Sequence, residues 1–296
     1  MQQRNEGEVR AAGGAVRQRR RPMAAFLGAV SVATLLVSLI AAPGSQAAAP
    51  ARVATAHAST PAYPVGVYDV YEPSGYAPPA PNQLPGYQQV FLDDFTKPLD
   101  TTKWGLFDGV PKGDPSGRFE PGHVRTSKGL LRIGTWRDPS HRNHWATGGV
   151  CLCGAPTTYG AFFVRSRVTA PGPDDAQLLW PVDNSWPPEL DFNETGKSPM
   201  ASSWTDHYAS PTTWVQHTRK INVVHWHTWG IVWTPTSVTF VVDGKAWGQL
   251  TGKAQIPTLP MTLDLQSQTW CGILPECPRR SSAMLVDWVV AYTPLA

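Results

Sequence analysis

Short runs of apolar, β-branched and aromatic residues, separated by glycine and proline turns, recur along most of this 296-residue chain. Such runs predict strands, because branched and aromatic side chains fit a pleated, half-buried surface. No apolar repeat of helical period extends over about ten residues or more. The pattern therefore predicts an all-β antiparallel sandwich of roughly a dozen strands. Candidate strands lie at residues 90–92, 129–133, 147–152, 161–169, 176–182, 213–218, 229–234, 237–242, 261–268 and 284–292.

The N-terminal region has a different character. Arginines at 17 and 19–21 precede an apolar run at 23–42, and alanines follow at 47–49. This order of charged, apolar and small residues is typical of a signal peptide, so we predict that residues 1–49 direct secretion to the extracellular space or cell envelope. A run of this length could also span a bilayer, and an uncleaved membrane anchor is the alternative.

The rest of the chain divides into a linker and a domain. Residues 50–86 are rich in Pro, Ala, Ser and Tyr and predict an extended linker, whose tyrosines could lie partly against the domain. The strand-rich remainder, 87–296, predicts a single domain, since its length suits one large β domain.

The net charge gives no support for a nucleic-acid partner. Of the 25 basic and 22 acidic residues, six arginines and two glutamates lie in residues 1–49, which leaves 19 basic and 20 acidic residues in the remainder. A nearly neutral protein lacks the basic surface that phosphate backbones require.

Four cysteines, Cys151, Cys153, Cys271 and Cys277, predict disulfides in a chain with a signal-like N-terminus. Four cysteines allow three pairings, and the spacing leaves open both local bridges and bridges between the two segments. Zinc is the competing interpretation, but the C-x-C and C-x5-C spacing differs from that of zinc fingers.

Three carboxylates, Glu189, Asp191 and Glu194, interleave with apolar residues in one candidate strand. Side chains alternate along a strand, so Glu189 and Asp191 share a face while Glu194 should point away. A β-bulge at Phe192 or Asn193 would return Glu194 to the same face.

The bulge makes the carboxylate spacing informative. Glu189 and Glu194 would then be about four strand steps apart, roughly 13 Å between backbones. If each side chain leans inward by roughly 4 Å, the carboxylates lie about 5 Å apart, the separation of a retaining glycosidase.

The pattern E-x-D-x-x-E, preceded by Trp180 and Trp186, resembles the catalytic strand of glycoside hydrolase family 16 in its bulged form. The resemblance extends over about residues 88–294, through VFLDDFTKPLDTTKW, TTYGAFFVRSRV, HTWGIVWTPTSVTFVVDGK and MLVDWVVAYTP. It implies a β-jelly-roll with a concave substrate cleft. The chain departs from the family pattern at Pro188 and Asn193, which bears more on the substrate than on the chemistry.

The resemblance implies a role for each carboxylate. Glu189 would be the nucleophile, and Glu194 would be the acid that protonates the leaving oxygen and then the base that activates water. Asp191 would hydrogen-bond Glu189 and keep the pKa of Glu194 raised by its charge.

Further residues are candidates for sugar binding, because indole faces stack on pyranoses and amide groups bind hydroxyls. With a period of two, Asp264, Gln266 and Gln268 share a face. The candidates are Trp180, Trp186, His207, Gln266, Gln268 and Trp270.

No cofactor is expected for this chemistry. Asp94 and Asp287 match positions at which some family members bind calcium, so the resemblance predicts a structural Ca²⁺ there.

Together these observations predict a retaining endo-glycosidase that acts on a β-linked polysaccharide, with β-1,3-glucan or β-1,3/1,4-glucan as the expected substrate. Transglycosylation through the same intermediate is one alternative. A noncatalytic glycan-binding jelly-roll is another, although binding alone does not require an acid/base pair.

Overall fold

A computed structural model describes residues 62–196, 198–271 and 277–295 of the chain. The predicted signal peptide and the first part of the predicted linker lie outside these residues. Within the described part, no helix has the length and apolar character needed to cross a membrane.

Eighteen strands and three single-turn 3₁₀ helices make up the described fold. The strands are β1 Val67–Tyr68, β2 Tyr76–Ala77, β3 Tyr87–Asp93, β4 Gly105–Leu106, β5 Val124–Ser127, β6 Leu130–Asp138, β7 His144–Ala146, β8 Gly149–Cys151, β9 Gly160–Val168, β10 Asp174–Pro181, β11 Glu189–Thr195, β12 Ala201–His207, β13 Trp214–Lys220, β14 His227–Trp233, β15 Val238–Val242, β16 Lys245–Leu250, β17 Met261–Gln268 and β18 Ser282–Pro294. The 3₁₀ turns are Pro121–His123, Pro139–His141 and Lys253–Gln255.

Two large sheets form the sandwich. The first, which we call the cleft sheet, has the strand order β13-β12-β11-β10-β17-β8-β4. The second, the outer sheet, has the order β16-β15-β14-β9-β18-β6-β5, with β3 joined to β18 and β7 to β6. Neighbouring strands of both sheets pair antiparallel, so the predicted all-β antiparallel sandwich is confirmed.

The core lies between the inner faces of the two sheets. Leu190 and Phe192 of β11 are fully buried in it with Trp229 of β14, and Trp204 of β12 stacks on Phe240 with ring centroids 4.4 Å apart. Burying each such large apolar side chain contributes about 1.5–3 kcal/mol. The strand that carries the acidic motif is therefore fixed from below by two of its own apolar residues.

The four cysteines pair locally. Cys151 is bonded to Cys153 and Cys271 to Cys277. The predicted disulfides are confirmed, and of the two arrangements left open by the spacing the structure has the local one. No cysteine in the described residues is free, so the zinc interpretation has no ligands.

Residues 62–86, assigned to the linker from composition, contact the outer sheet. Strands β1 and β2 pair there, and the buried Arg165 of β9 donates from Nε to Ser74 Oγ at 2.7 Å and from Nη2 to Ser74 O at 3.2 Å. The guanidinium also lies 4.3 Å from the Tyr76 ring centroid, and Trp288 Nε1 donates to Tyr76 O at 3.0 Å. The segment thus supplies partners for polar groups that the outer sheet would otherwise leave buried and unpaired.

Replacing Arg165 with lysine tests this attachment. A single ammonium cannot reproduce both bonds to Ser74 and the stacking on Tyr76, so we expect a loss of about 1–3 kcal/mol of unfolding free energy. Urea denaturation followed by tryptophan fluorescence measures it, with the exposed Arg125→Lys as the matched control. Equal stability of the two variants would contradict the proposed attachment.

Candidate active site

A one-residue bulge in β11 sets the direction of its acidic side chains. Against β12, Asp191 pairs with Thr205 but Glu194 pairs with Ser203, so the two residues between them on β11 oppose one residue, Trp204, on β12. The pairing of β11 with β10 skips Phe192 at the same place. The bulge predicted from the sequence is therefore present.

The bulge places all three carboxylates on one face of the cleft sheet. Glu189, Asp191 and Glu194 line a common cleft, while Leu190 and Phe192 point into the core. The cleft has a volume of about 990 Å³. It is large enough for several sugar units, since small-molecule sites usually occupy about 300–1,000 Å³.

The six residues predicted to bind sugar also line this cleft. They are Trp180, Trp186, His207, Gln266, Gln268 and Trp270. The structure therefore brings every predicted site residue of the cleft together around the three carboxylates.

Glu189 lies beside an indole that fixes its orientation. Trp186 Nε1 donates to Glu189 Oε2 at 2.7 Å. Burial raises the pKa of Glu189 to about 7, the bond from Trp186 opposes that rise, and the charge of Glu194 adds to it. A group with this pKa is only partly ionised at neutral pH, and the bond donated by Trp186 favours the charged form that a nucleophilic carboxylate requires.

Asp191 is the most deeply placed of the three acids. Burial raises its pKa well above the ordinary value, and the charges of Glu189 and Glu194 raise it further. Its Oδ2 accepts no hydrogen bond and lies 3.8 Å from His207 Nε2. Because burial also lowers the pKa of His207, the ring favours its neutral form beside this carboxyl.

Glu194 is held by two residues that sequence reasoning missed. The Thr205 hydroxyl donates to Glu194 Oε2, and Gln216 Nε2 lies 2.9 Å from Thr205 Oγ1 and 3.5 Å from the same carboxylate oxygen. Burial raises the pKa of Glu194, while both bonds oppose the rise. A buried carboxyl with a raised pKa suits an acid that must hold its proton near neutral pH.

The indoles form the sides of the cleft. Trp180 Nε1 donates to Asn184 Oδ1 at 3.2 Å, and Trp270 Nε1 donates to Asp174 Oδ2 at 3.2 Å. With both N–H groups engaged at the ring edge, the ring faces are oriented by the protein rather than by the ligand.

The floor of the cleft beside β11 carries the polar side chains of β17 that were predicted to share one face. Asp264, Gln266 and Gln268 of β17 all line the cleft, as the period of two predicts. Gln268 Oε1 is buried without a hydrogen-bond partner, and Thr262 Oγ1 donates to Asp264 Oδ1 at 3.1 Å. Burial raises the pKa of Asp264 well above its ordinary value.

One group in the described residues has the composition of a metal site. Donor atoms of Glu189, Asp191 and His207 lie within 4.8 Å of one another. Since Glu189 Oε2 already accepts the Trp186 bond, we assign these three residues to the acid/base cluster.

The residues of the predicted calcium site are used in local contacts. Asp94 Oδ1 accepts from the Thr96 hydroxyl at 2.7 Å, and Asp287 Oδ2 accepts from Ser74 N at 3.2 Å. A Ca²⁺ site needs six or more oxygen ligands around one point, and these two contacts do not test for such a set. The calcium site stays a prediction without structural support.

A two-sheet sandwich that presents paired glutamates and half-buried indoles on one open face is the architecture of a carbohydrate-active jelly-roll. The sequence model described as Glycosyl hydrolases family 16 matches residues 141–290, and the chain belongs to this family. The resemblance inferred from the acidic motif is thereby confirmed.

Two curated relatives come from Rhizobium meliloti (strain 1021). The endo-1,3-1,4-beta-glycanases ExsH and EglC are 27% and 28% identical to this chain over 150 and 151 residues. Each match covers 46% of this chain and 30% of the relative, so the chain spans less than a third of the length of these relatives.

Solved structures share the fold. The laminarinase from Rhodothermus marinus superposes with a TM-score of 0.64 at 21% identity, over 71% of this chain and 98% of that one. SCLam, a non-specific endo-beta-1,3(4)-glucanase, gives 0.63 at 23% identity, over 71% and 92%. The catalytic domain of an endo-1,3-beta-glucanase from Thermotoga petrophila RKU-1 gives 0.61 at 17% identity, over 71% and 99%. These likenesses confirm the predicted jelly-roll.

Replacing Thr205 with valine tests the assignment of Glu194 as the acid. Loss of the donated bond disfavours the carboxylate, so the pKa of Glu194 rises and the alkaline limb of kcat/KM moves to higher pH. Activity at the optimum should stay within about tenfold, since the acid itself is retained. The pH profile on a soluble polysaccharide measures this effect.

The matched control is Thr218→Val on the exposed part of β13, whose hydroxyl bonds Ser203 and not the cleft acids. An alkaline limb that stays in place or moves downward in Thr205→Val would contradict the acid role.

Proposed function

We propose that this protein is a secreted retaining endo-glycosidase that hydrolyses a β-linked glucan. The observation that carries the proposal is the bulge at Phe192, which turns Glu194 onto the same cleft face as Glu189 and Asp191. Each glutamate there accepts a hydrogen bond from a neutral side chain: Glu189 from Trp186, and Glu194 from Thr205.

In the first step, Glu194 protonates the oxygen of the leaving sugar while Glu189 attacks the anomeric carbon. The bond to the leaving sugar breaks, and a glycosyl ester of Glu189 forms. Burial raises the pKa of Glu194 and so favours retention of the proton that this step requires. Trp186 fixes the attacking carboxylate, because its N–H occupies Glu189 Oε2 and leaves the other oxygen for attack.

In the second step, the ionised Glu194 removes a proton from water, and the water oxygen attacks the anomeric carbon. Glu189 leaves as a carboxylate and Glu194 is protonated again, so the two displacements retain the anomeric configuration. Asp191 lies between them, and its charge disfavours simultaneous ionisation of both neighbours. The three acids therefore titrate as a coupled set.

The cleft favours an uncharged polysaccharide. Five carboxyl groups line it, from Asp174, Glu189, Asp191, Glu194 and Asp264. Among the described lining residues, the only lysine or arginine is Lys112. Sulfated glycans would meet repulsion here, which favours neutral glucans over carrageenan-like polymers.

The names of the relatives support the choice among neutral polymers. Both curated relatives are endo-1,3-1,4-beta-glycanases, and the structural neighbours include laminarinases. We therefore propose β-1,3-glucan or mixed-linkage β-1,3/1,4-glucan as the substrate. The second candidate function is transglycosylation, in which the same glycosyl ester of Glu189 is attacked by a sugar hydroxyl instead of by water.

Replacing Glu189 with glutamine tests catalysis against a pure binding role. We expect reducing-sugar release from laminarin or lichenan to fall by about three orders of magnitude or more, because amide nitrogen cannot form the ester intermediate. Binding of the same glucan, measured by affinity electrophoresis, should persist. The unmodified protein should release the β-anomer first, which NMR detects before mutarotation.

Glu72→Gln on the outer sheet side is the matched control and should keep full activity. A binding module would give no turnover with any of laminarin, lichenan, agarose, carrageenan or xyloglucan, and Glu189→Gln would then match the unmodified protein. Release of the α-anomer first would contradict the retaining mechanism.

Secretion forms a separate part of the proposal, based on the charged, apolar and small-residue order of residues 1–49. When the full chain is expressed in a secreting host, we expect the protein in the medium to begin near Pro50. N-terminal sequencing checks this, with replacement of the apolar run at 23–42 by polar residues as the control. Retention of the intact chain in the membrane fraction would instead support the anchor.

A further inference from the structure

The segment between β4 and the first 3₁₀ turn crosses the cleft. This bridging loop, residues 107–119, is closed at its base, where Phe119 N donates to Gly109 O at 2.7 Å and Gly109 N to Phe119 O at 3.1 Å. Phe107 N also donates to Gly149 O of β8 at 2.9 Å. The loop therefore starts from the β8 side of the cleft sheet as an anchored hairpin.

The tip of the bridging loop contacts the indoles on both sides of the cleft. Lys112 Nζ lies 5.3 Å from the Trp180 ring centroid. The next residue, Gly113, lies beside Trp270, and an added Cβ would be in ordinary van der Waals contact with the ring at 3.5 Å. Asp114, which is fully buried, accepts from Trp270 N at 2.9 Å and holds this contact.

The two indoles mark opposite sides of the cleft. Trp180 lies at one end of β10, and Asp174, which accepts the Trp270 indole bond, lies at the other. Six strand steps separate these two positions, roughly 20 Å between backbones. Because Lys112 and Gly113 are adjacent in the chain, the loop tip bridges this width together with the Lys112 side chain and the two indole side chains that it contacts.

The tip of the bridging loop lies close to the candidate nucleophile, Glu189. Burial raises the pKa of Glu189, but the positive charge of Lys112 acts on the same carboxyl and lowers it. Lys112, Gly113, Phe107 and Phe119 all line the cleft that contains Glu189. Sugar units next to the scissile bond on this side thus lie between the cleft floor and the loop.

We propose that the bridging loop selects unbranched stretches of glucan. A linear chain presents flat rings that fit between the β10 and β17 floor and the loop, whereas a branch adds a whole sugar in the direction that Lys112 and Gly113 occupy. This inference deepens the proposed function and rests on it. It defines the substrate class as linear β-glucan, with branch points excluded from the units beneath the loop.

The test compares a linear β-1,3-glucan with one that carries a β-1,6-linked glucose on every third unit. For the unmodified protein we expect kcat/KM on the linear polymer to exceed that on the branched one by about tenfold or more, as steric discrimination at a closed site allows. In Lys112→Ala the ratio should fall at least about threefold, because the side chain above Trp180 is removed.

Two further variants show whether the shape or the charge of the Lys112 side chain produces the selection. Lys112→Met keeps the length of the side chain and removes the charge, so it should retain the high linear-to-branched ratio. Lys253→Ala, an exposed lysine in the third 3₁₀ turn, should behave as the unmodified protein. If Lys112→Met lowers the ratio as much as Lys112→Ala, selection by shape is wrong.

Failure of this inference differs from failure of the proposed function. Equal rates on linear and branched glucan by an active protein would overturn the loop's selective role while leaving the glucanase assignment intact. Absence of turnover on both polymers, together with absence on the wider panel, would instead overturn the proposed function itself.

Discussion

The bulge at Phe192 is the constraint on which the rest of the site depends. A regular strand would send Glu194 into the core between the sheets, where an unpaired carboxylate costs several kcal/mol. One unpaired residue lets β11 bury Leu190 and Phe192 while both glutamates reach the cleft. The same bulge places Glu189 and Glu194 on one face of the cleft, as the proposed double displacement requires. Core packing and catalytic geometry therefore depend on one irregularity.

Burial has a second effect, because it makes the carboxyl groups of the cleft hold their protons more tightly. The structure opposes this effect with neutral donors, of which Trp186 and Thr205 act on the two glutamates. An indole or hydroxyl stabilises the charged form through one directed bond without supplying a permanent charge. The different donors give Glu189 and Glu194 different surroundings, which the proposed pairing of a nucleophile and an acid on one strand requires.

Much of the fold and the catalytic strand could be predicted from the sequence, because alternation and turn residues are local signals. The bulge was also predictable, since three acids in six residues cannot otherwise share a face. Thr205 and Gln216 could not be found, because their position beside Glu194 depends on the register of β12 and β13. The packing of residues 62–86 could be predicted only as a contact of their tyrosines with the domain, since Arg165 and Trp288, which fix that segment, lie far away in the sequence.

The charge of the cleft decides more about the substrate than its indoles do. Two like charges roughly 6 Å apart, at an effective dielectric constant of about 20, repel by about 3 kcal/mol. Stacking of one ring on an indole contributes about 0.5–1.5 kcal/mol, which is less than one such repulsion. A sulfate or uronate group beside an ionised Glu189 would therefore cancel the gain from Trp180 or Trp270. Lys112 lies over the Trp180 ring and its charge already acts on Glu189, so this one lysine cannot also neutralise a row of anionic sugars.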